Sequence, residues 1–220
     1  MKTKSHIQYR LKNKLLKNGK GVRVPGVTTI TGQLGLNKQA LIKWANNLGL
    51  QGHDSTKYRD DKADIGTLAH AFVTDALQGR ETNTDDYAPV QVAAALHASA
   101  SFWDWQRDRS VELIWCEKPL VHEALEYGGT IDIYAEVNGV KEIIDLKTGK
   151  NIYLEHWLQV GGGYSMLAAA NGFYYDRIRI LNIPRGEGET WREEVREDVH
   201  VEQEIFEHLL KMYYLLKEIE

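Results

Sequence analysis

The segment GGTIDIYAEVNGVKEIIDLKTGK, residues 128–150, predicts a β-hairpin. Its Asn138-Gly139 pair favours a two-residue type I′ turn and stands between two runs rich in β-branched residues. Counting outwards from that turn pairs apolar residues on one face: Val137 with Val140, Ile133 with Ile144, and Ile131 with Leu146. The other face carries the oppositely charged pair Glu136 and Lys141, so a slip of one residue would destroy both patterns.

The same count brings two acids together, because Asp132 falls directly opposite Asp145. Their Cβ atoms would be about 5 Å apart, where like charges repel. A divalent cation between them is the economical solution, and carboxylate oxygens suit Mg²⁺ or Mn²⁺. Lys147 lies two residues beyond Asp145 and therefore on the same face. The alternatives are a solvent-facing acid pair neutralised by Lys147, and a bulge that shifts the register.

Two acids and a lysine around a metal point to hydrolysis of phosphodiester bonds. A bound divalent ion polarises the phosphoryl oxygen and lowers the pKa of a bound water. Lys147 could then orient that water or neutralise charge in the transition state.

Composition predicts one soluble domain over residues 1–220, of which 43% are apolar. No apolar run approaches the length that a membrane span needs. The single cysteine, Cys116, excludes a disulfide framework and a four-cysteine iron–sulfur cluster, and fits a reducing compartment. We therefore expect a cytoplasmic protein, in a bacterial or phage-infected cell.

Charge is distributed unevenly: residues 1–53 contain ten Lys or Arg and no Asp or Glu. This split predicts that the N-terminal segment contacts a polyanion; a solvated basic helix is the alternative. The candidate contacts in this segment are Arg10, Lys12, Lys14, Arg23 and Lys38. Arg177 and Arg179, which alternate on a later predicted strand, are further candidates, with solvent exposure as their alternative. Tyr9 and Trp44 could stack on bases, although core packing is the alternative for Trp44.

Hydrophobic periodicity predicts a mixed α/β domain with one central sheet. Helices are predicted over the basic N-terminus, residues 37–49, 64–79, 89–107 and 151–172, and the last twenty residues. Residues 24–35 indicate a short strand or loop, and residues 51–63 a loop. Besides the two arms of the hairpin, strands are predicted over residues 111–122, 173–183 and 190–199, with a turn at 184–189.

The motifs GGTIDI and IIDLKTGK resemble the PD-(D/E)XK nuclease superfamily in its RecB-like exonuclease branch. The pattern of that branch is an Asp after a Gly, a second acid, one residue and then Lys. Those positions are Asp132, Asp145 and Lys147 in this chain. The resemblance implies a restriction-endonuclease-like core, with a central mixed sheet flanked by helices, over residues 64–183. Residues 1–53 would then be a DNA-contacting segment, and residues 190–220 a C-terminal strand and helix.

A second motif, GTLAHAF, resembles the upstream helix of the same branch, whose histidine ligates the metal. The resemblance implies that the metal is held by His70, Asp132, Asp145 and the main-chain carbonyl of Leu146. Glu117 is a further candidate acid. Taken alone, His70 has an ordinary helix-edge histidine as its alternative, and Glu117 an exposed strand-end carboxylate.

The branch also has a helix whose Gln and Tyr line the site, normally four residues apart. Here Gln159 and Tyr164 are five apart, which on an α-helix would separate their side chains by roughly 140°. Either the glycines at 161–163 allow a π-helical turn that realigns the two side chains, or Tyr164 does not take the family role. The glycines also predict close packing of this helix on the sheet.

Together the motifs and the resemblance imply a DNA exonuclease that uses one or two Mg²⁺ or Mn²⁺ ions and no iron–sulfur cluster. The chain is similar to the cluster-free phage and mitochondrial members of the branch. The expected substrate is single-stranded DNA or DNA ends, in replication, recombination or repair. A structure-specific, flap-type endonuclease of the same fold and a non-catalytic DNA-binding module are the alternatives. Polarity, strand preference, DNA against RNA and oligomeric state stay open.

Overall fold

The strands form a central sheet and a small separate hairpin in the computed structural model, which describes residues 7–36, 38–186 and 188–219. They are β1 (Arg10–Leu15), β2 (Gly21–Arg23), β3 (Val111–His122), β4 (Tyr127–Val137), β5 (Val140–Lys147), β6 (Arg177–Asn182) and β7 (Arg192–Arg196). The central sheet has the order β3-β4-β5-β6-β7. Only β5 and β6 pair in parallel.

The helices cover both faces of this sheet. They are α1 (Val27–Thr31), α2 (Lys38–Leu50), α3 (Ser55–Leu77), α4 (Pro89–Gln106), α5 (Leu154–Trp157), a π-helix (Leu158–Tyr164), α6 (Ser165–Ala170) and α7 (His200–Ile219). The run from α5 to α6 is the crossover that the parallel pair β5–β6 requires. The predicted mixed α/β fold, with a central sheet flanked by helices, is confirmed.

Each face of the sheet has its own buried cluster. The first joins the sheet to the crossover and α7: Ile143, Ile178, Ile180, Val160, Tyr164 and Phe206. The second joins the sheet to α3 and α4: Ile133, Ile144, Leu146, Val73, Phe102 and Trp105. Within the described residues, no helix combines the length and the apolar character needed to cross a membrane.

The hairpin of β4 and β5 has the predicted turn and register. Asn138 and Gly139 have φ values of 52° and 81°, as a type I′ turn requires. The ladder runs from Val137–Val140 to Ile133–Ile144.

Beyond Ile133 the two strands separate, and β4 continues paired with β3, with one isolated parallel bridge between its Gly128 and Gly26. Because the alternation of β4 is interrupted there, Ile131 packs on the crossover side while Ile133 packs on the side of α3 and α4. The prediction that Ile131 shares a face with Ile133 and Leu146 is therefore wrong. We call this opening the β4–β5 fork.

Two other predictions fail near the N-terminus. The basic segment forms the β1–β2 hairpin, not a helix; its first six residues lie outside the described part of the chain. Among its described residues, Leu11 is the one that is buried, and Gly19 is left-handed (φ 75°); both suit a short exposed hairpin. Residues 24–35 contain α1 in place of a strand or loop, because Val27, Ile30 and Thr31 are buried at helical spacing.

The predicted loop over residues 51–63 is mostly helix, since α3 begins at Ser55. The carboxylate of Asp54 caps it by accepting from the backbone N–H groups of Thr56 and Lys57. Its first turns carry no apolar stripe, so periodicity does not reveal them. The other helices and strands lie where they were predicted; in the predicted turn at 184–189, residue 187 lies outside the described part of the chain.

Candidate active site

The β4–β5 fork brings side chains from four elements together. Asp132 lies on β4 and Asp145 on β5, just beyond the last pair of their shared ladder. His70 approaches from α3, and its Nδ1 lies 3.4 Å from Asp132 Oδ2. On β3, the register places Glu117 level with Asp132, because Cys116 pairs with Ile133 and Lys118 with Ile131.

One ligand atom from each of His70, Glu117 and Asp132 lies within 4.8 Å of the others, a grouping that could hold a metal ion. Glu117 has a φ of 50°, the left-handed region that side-chain-bearing residues rarely adopt. Such a conformation costs about 1–3 kcal/mol and is found most often at functional sites. The backbone of β3 thus carries strain at the one position where a third acid reaches the cluster.

The two aspartates are held differently. Asp132 Oδ2 accepts a hydrogen bond from the backbone N–H of Leu146, at 2.9 Å, across the fork. The Asp145 side chain is 2% exposed, and its Oδ2 lies 2.6 Å from the ammonium of Lys147. The Lys147 ammonium is therefore the donor from which this buried oxygen accepts, and the interaction lowers the pKa of Asp145. A buried carboxylate beside a second carboxylate fits a hard divalent cation as its ligand.

Burial dominates the electrostatics of both acids. It raises the pKa of Asp145 to about 6, against the opposing charge of Lys147 and with a contribution from Asp132. Burial also raises the pKa of Asp132, while Lys147 and the Leu146 amide act in the opposite direction. Both carboxyl groups therefore keep their protons to a higher pH than an exposed aspartate does.

A polar chain leads from Lys147 into the crossover. The Lys147 ammonium donates to Gln159 Oε1 at 3.2 Å, and Gln159 Nε2 donates to the Tyr164 hydroxyl at 2.8 Å. These two side chains meet because residues 158–164 form a π-helix, whose wider turn aligns positions five apart. Of the two alternatives for this segment, the π-helical one is confirmed.

The three glycines of the π-helix pack mainly on α7. A Cβ at Gly162 would lie 2.7 Å from the carbonyl oxygen of Glu202, and one at Gly163 would lie 2.5 Å from Val27 on α1. The prediction that these glycines permit close packing is right, but the neighbours are helices, not the sheet.

Arg177 and Arg179, which were predicted to contact phosphates, are paired with acids of the sheet. Arg179 is 4% exposed, and its guanidinium donates to Glu142 at 2.7 and 2.9 Å and also to Glu193. Arg177 donates to the same Glu142 at 2.6 Å. They do share one face of β6, as predicted, and acids on β5 and β7 pair with their guanidinium groups; phosphate binding by these two arginines stays a prediction.

The basic residues of the N-terminal segment differ in their surroundings. Lys14 pairs with Glu126, and Arg10 donates to the carbonyl of Gly21 at 2.8 Å. The side chains of Lys12, Arg23 and Lys38 are exposed. Nucleic-acid binding by this segment stays a prediction, and Arg10 and Lys14 also hold the β1–β2 hairpin together and in place.

A cleft of about 790 Å³ adjoins the cluster and has His70 in its wall. Sequence reasoning singled out Trp44 and His70 from this wall and missed the others: Tyr58, Arg59, Lys62, Lys150, Tyr153 and Arg185. These residues come from α3 and from separate loops, so no local pattern in the sequence unites them. Trp44 is half-buried against Tyr58, outside the core clusters, with ring centroids 6.1 Å apart.

Three further predicted or neighbouring residues complete the site. Tyr9 packs over Gly128, and its hydroxyl hydrogen-bonds with Thr130 Oγ1 at 3.0 Å. The Leu146 side chain is fully buried, as predicted, and the role of its carbonyl stays a prediction. No pattern in the sequence singles out His156, whose pKa is lowered to about 4 by burial and by the charge of Lys147.

No protein-family model and no curated protein matches the chain. Among solved structures, it is similar to an alkaline exonuclease, LHK-Exo from Laribacter hongkongensis, with 15% identity and a TM-score of 0.35 over 71% of this chain and 89% of that one. The structure of LHK-Exo in complex with dAMP shares 13% identity with this chain, at a TM-score of 0.34 over 70% of this chain and 84% of that one. The structure of SSO0001 shares 12% identity, at a TM-score of 0.32 over 69% of this chain and 74% of that one. TM-scores this low establish no shared activity.

Proposed function

We propose that this chain is a Mg²⁺- or Mn²⁺-dependent deoxyribonuclease of the PD-(D/E)XK type, acting as an exonuclease on single strands or DNA ends. The observation that carries the proposal is the β4–β5 fork, where His70, Glu117 and Asp132 meet beside a buried Asp145 and its Lys147. The resemblance of GGTIDI and IIDLKTGK to that superfamily supports the same function. Its proposed setting is DNA replication, recombination or repair in the cytoplasm of a bacterial or phage-infected cell.

His70, Asp132, Asp145 and the Leu146 carbonyl would hold the ion, with Glu117 as a further ligand. When bound, it would supply Lewis-acid activation of the scissile phosphate and a water of lowered pKa. The donor set fits, because hard carboxylate oxygens and one imidazole suit Mn²⁺, and carboxylates suit Mg²⁺.

The remaining polar residues act by position and charge. Lys147 lies between Asp145 and Gln159, so its ammonium is fixed at the edge of the acid cluster. From there it donates to the non-bridging oxygen or to the attacking water, where negative charge develops. Tyr164 holds Gln159, which in turn holds Lys147, so this pair positions the lysine.

Cleavage of end-labelled linear DNA, in single- and double-stranded forms, tests the proposal. We expect digestion in Mg²⁺ or Mn²⁺ and none in EDTA. Asp145→Asn should lose about a thousandfold in rate, because this carboxylate would help to hold the ion, whose stabilisation of developing negative charge is worth several kcal/mol. Glu136→Gln, near the turn of the same hairpin, serves as the control and should cut at the parent rate.

Circular single-stranded DNA separates the candidates. An exonuclease leaves it intact, whereas a flap-type endonuclease of the same fold cuts it. A non-catalytic DNA-binding module would bind labelled DNA without shortening it under any metal condition. Equal cleavage rates for Asp145→Asn and the parent would refute the site assignment.

A further inference from the structure

The cleft beside His70 runs between α2 and α3 and along the loop that follows β5; we call it the α2–α3 groove. It opens onto the acid cluster, because His70 lines it and also lies 3.4 Å from Asp132. Thr148, directly after Lys147, forms part of its wall. A Cβ at Gly66 would lie 2.9 Å from Thr148 Oγ1, so the glycine lets α3 approach this loop.

The charge of the groove is entirely positive. Four cations line it, and no Asp or Glu belongs to the wall: Arg59, Lys62, Lys150 and Arg185. The chain as a whole has a net charge of −4, so this concentration is a local feature. Within the described residues, only Arg59 of the four forms an ion pair, with Asp60 at 2.9 Å. Arg185 is oriented along the wall by donating to Thr148 Oγ1 at 3.1 Å.

Aromatic rings alternate with these cations. Tyr58 and Tyr153 are 40% and 44% exposed and line the same groove. Trp44 lies edge-on to Tyr58, and the Lys62 ammonium is 5.3 Å from the Tyr58 ring centroid. Exposed rings beside cations match the chemistry of an unpaired nucleic-acid strand, whose bases stack while its phosphates pair.

We infer that the α2–α3 groove binds single-stranded DNA and delivers it to the acid cluster, with bases stacked on Tyr153, Tyr58 and Trp44 and phosphates on Lys150, Lys62 and Arg185. This inference rests on the proposed function, which supplies DNA as the substrate. A duplex keeps its base faces covered by neighbouring base pairs, so the rings discriminate against it.

Binding without cleavage tests the inference. A fluorescein-labelled oligothymidylate of about 20 nucleotides is titrated with the protein in EDTA, and its anisotropy is compared with that of a blunt duplex of equal length. We expect tighter binding of the single strand. Tyr153→Ala and Trp44→Ala should each weaken binding about tenfold, since each removes one stacking platform.

Matched controls separate a local effect from general charge and folding. Tyr174→Ala removes a tyrosine that is 85% exposed and lies outside the groove, and Lys211→Ala removes an exposed lysine on α7. Both should bind as the parent does, whereas Lys150→Ala should bind more weakly. Because Trp44 contacts Tyr58, circular dichroism checks that Trp44→Ala is folded, and the exposed Tyr153 and Lys150 carry the test if it is not.

The outcomes distinguish this inference from the proposed function. If the groove variants bind oligothymidylate as the parent does, or the duplex binds equally well, the inference is overturned even where metal-dependent cleavage is observed. If the groove variants lose single-strand binding and no cleavage occurs, the groove stands and the nuclease proposal falls.

Discussion

Asp145 is the residue on which the candidate site depends most. It is buried, it pairs with the Lys147 ammonium at 2.6 Å, and it lies close enough to Asp132 for that second carboxylate to raise its pKa. Its pKa of about 6 exceeds the ordinary value of 3.8, so the folded, metal-free protein holds this proton more tightly than the unfolded chain does. The contribution of Asp145 to stability therefore becomes less favourable as pH rises from about 3.8 to about 6.

The same carboxyl should make metal binding depend on pH. Because Asp145 must lose its proton to ligate a cation, we expect Mn²⁺ affinity to fall as pH drops below about 6, by up to about tenfold per unit. Isothermal titration calorimetry between about pH 5 and pH 8 measures this dependence, and Glu136→Gln should reproduce it. An affinity that is constant over that range would contradict the assignment of Asp145 as a ligand.

Single residues also show what a sequence can and cannot predict. Asp132, Asp145 and Lys147 were predictable together because one tight turn sets their spacing. Glu117 reaches the cluster only through a left-handed backbone, which its strand pattern does not reveal. Arg177 and Arg179 share one face of their strand, as alternation predicts. Alternation does not reveal the acids on β5 and β7 that pair with them.

At the scale of elements, the π-helix decides how the crossover meets the active site. Gln159 and Tyr164 are five positions apart, and only the wider turn of the π-helix lets their side chains hydrogen-bond. The sequence left two alternatives for this segment, a π-helical turn or a Tyr164 outside the family role, since glycines tolerate unusual turns but do not specify them. Contact with α7, which lies far along the chain, was outside the reach of local pattern.

The packing of this element on α7 can be tested by Gly162→Ala. The new Cβ would lie 2.7 Å from the Glu202 carbonyl and 2.8 Å from Phe206 Cβ, so we expect a loss of about 1–3 kcal/mol in the free energy of unfolding. Urea denaturation measures the change.

Gly49→Ala is the matched control for that substitution. Gly49 lies within α2, and nothing would lie within 4 Å of its Cβ, so the change should stabilise the protein by about 0.5–1 kcal/mol. Equal stability of Gly162→Ala and the parent would show that the crossover can move away from α7.

At the scale of the whole molecule, basic residues that lie far apart along the chain come together in the folded protein. The acid-free first 53 residues predict a polyanion contact at the N-terminus. In the structure, Lys14 pairs with Glu126, and Glu123 accepts a hydrogen bond from the backbone N–H of Lys12. All four cations of the α2–α3 groove come from residues 59–185, a region that is acidic overall. Only the tertiary structure brings them together, so composition alone does not reveal this groove.

Salt dependence of DNA binding distinguishes these two basic regions. Lys150→Ala should reduce the slope of log affinity against log salt by about one, because one phosphate contact is lost. Lys14→Ala should leave the slope unchanged, since its charge is already paired with Glu126. Titrations of labelled oligothymidylate at several salt concentrations measure both slopes, and a larger effect for Lys14→Ala would place the main contact on the hairpin.

The tight turn at Asn138-Gly139 also bears on the order of events during folding. Hairpins closed by short turns form within about 1–10 μs, whereas a parallel pair such as β5–β6 must wait until its long crossover is in place. The two carboxylates are thus expected to meet early, with Lys147 as their first counter-charge. His70 and the crossover residues would arrive afterwards, so the reactive centre would be assembled from its acidic end outwards.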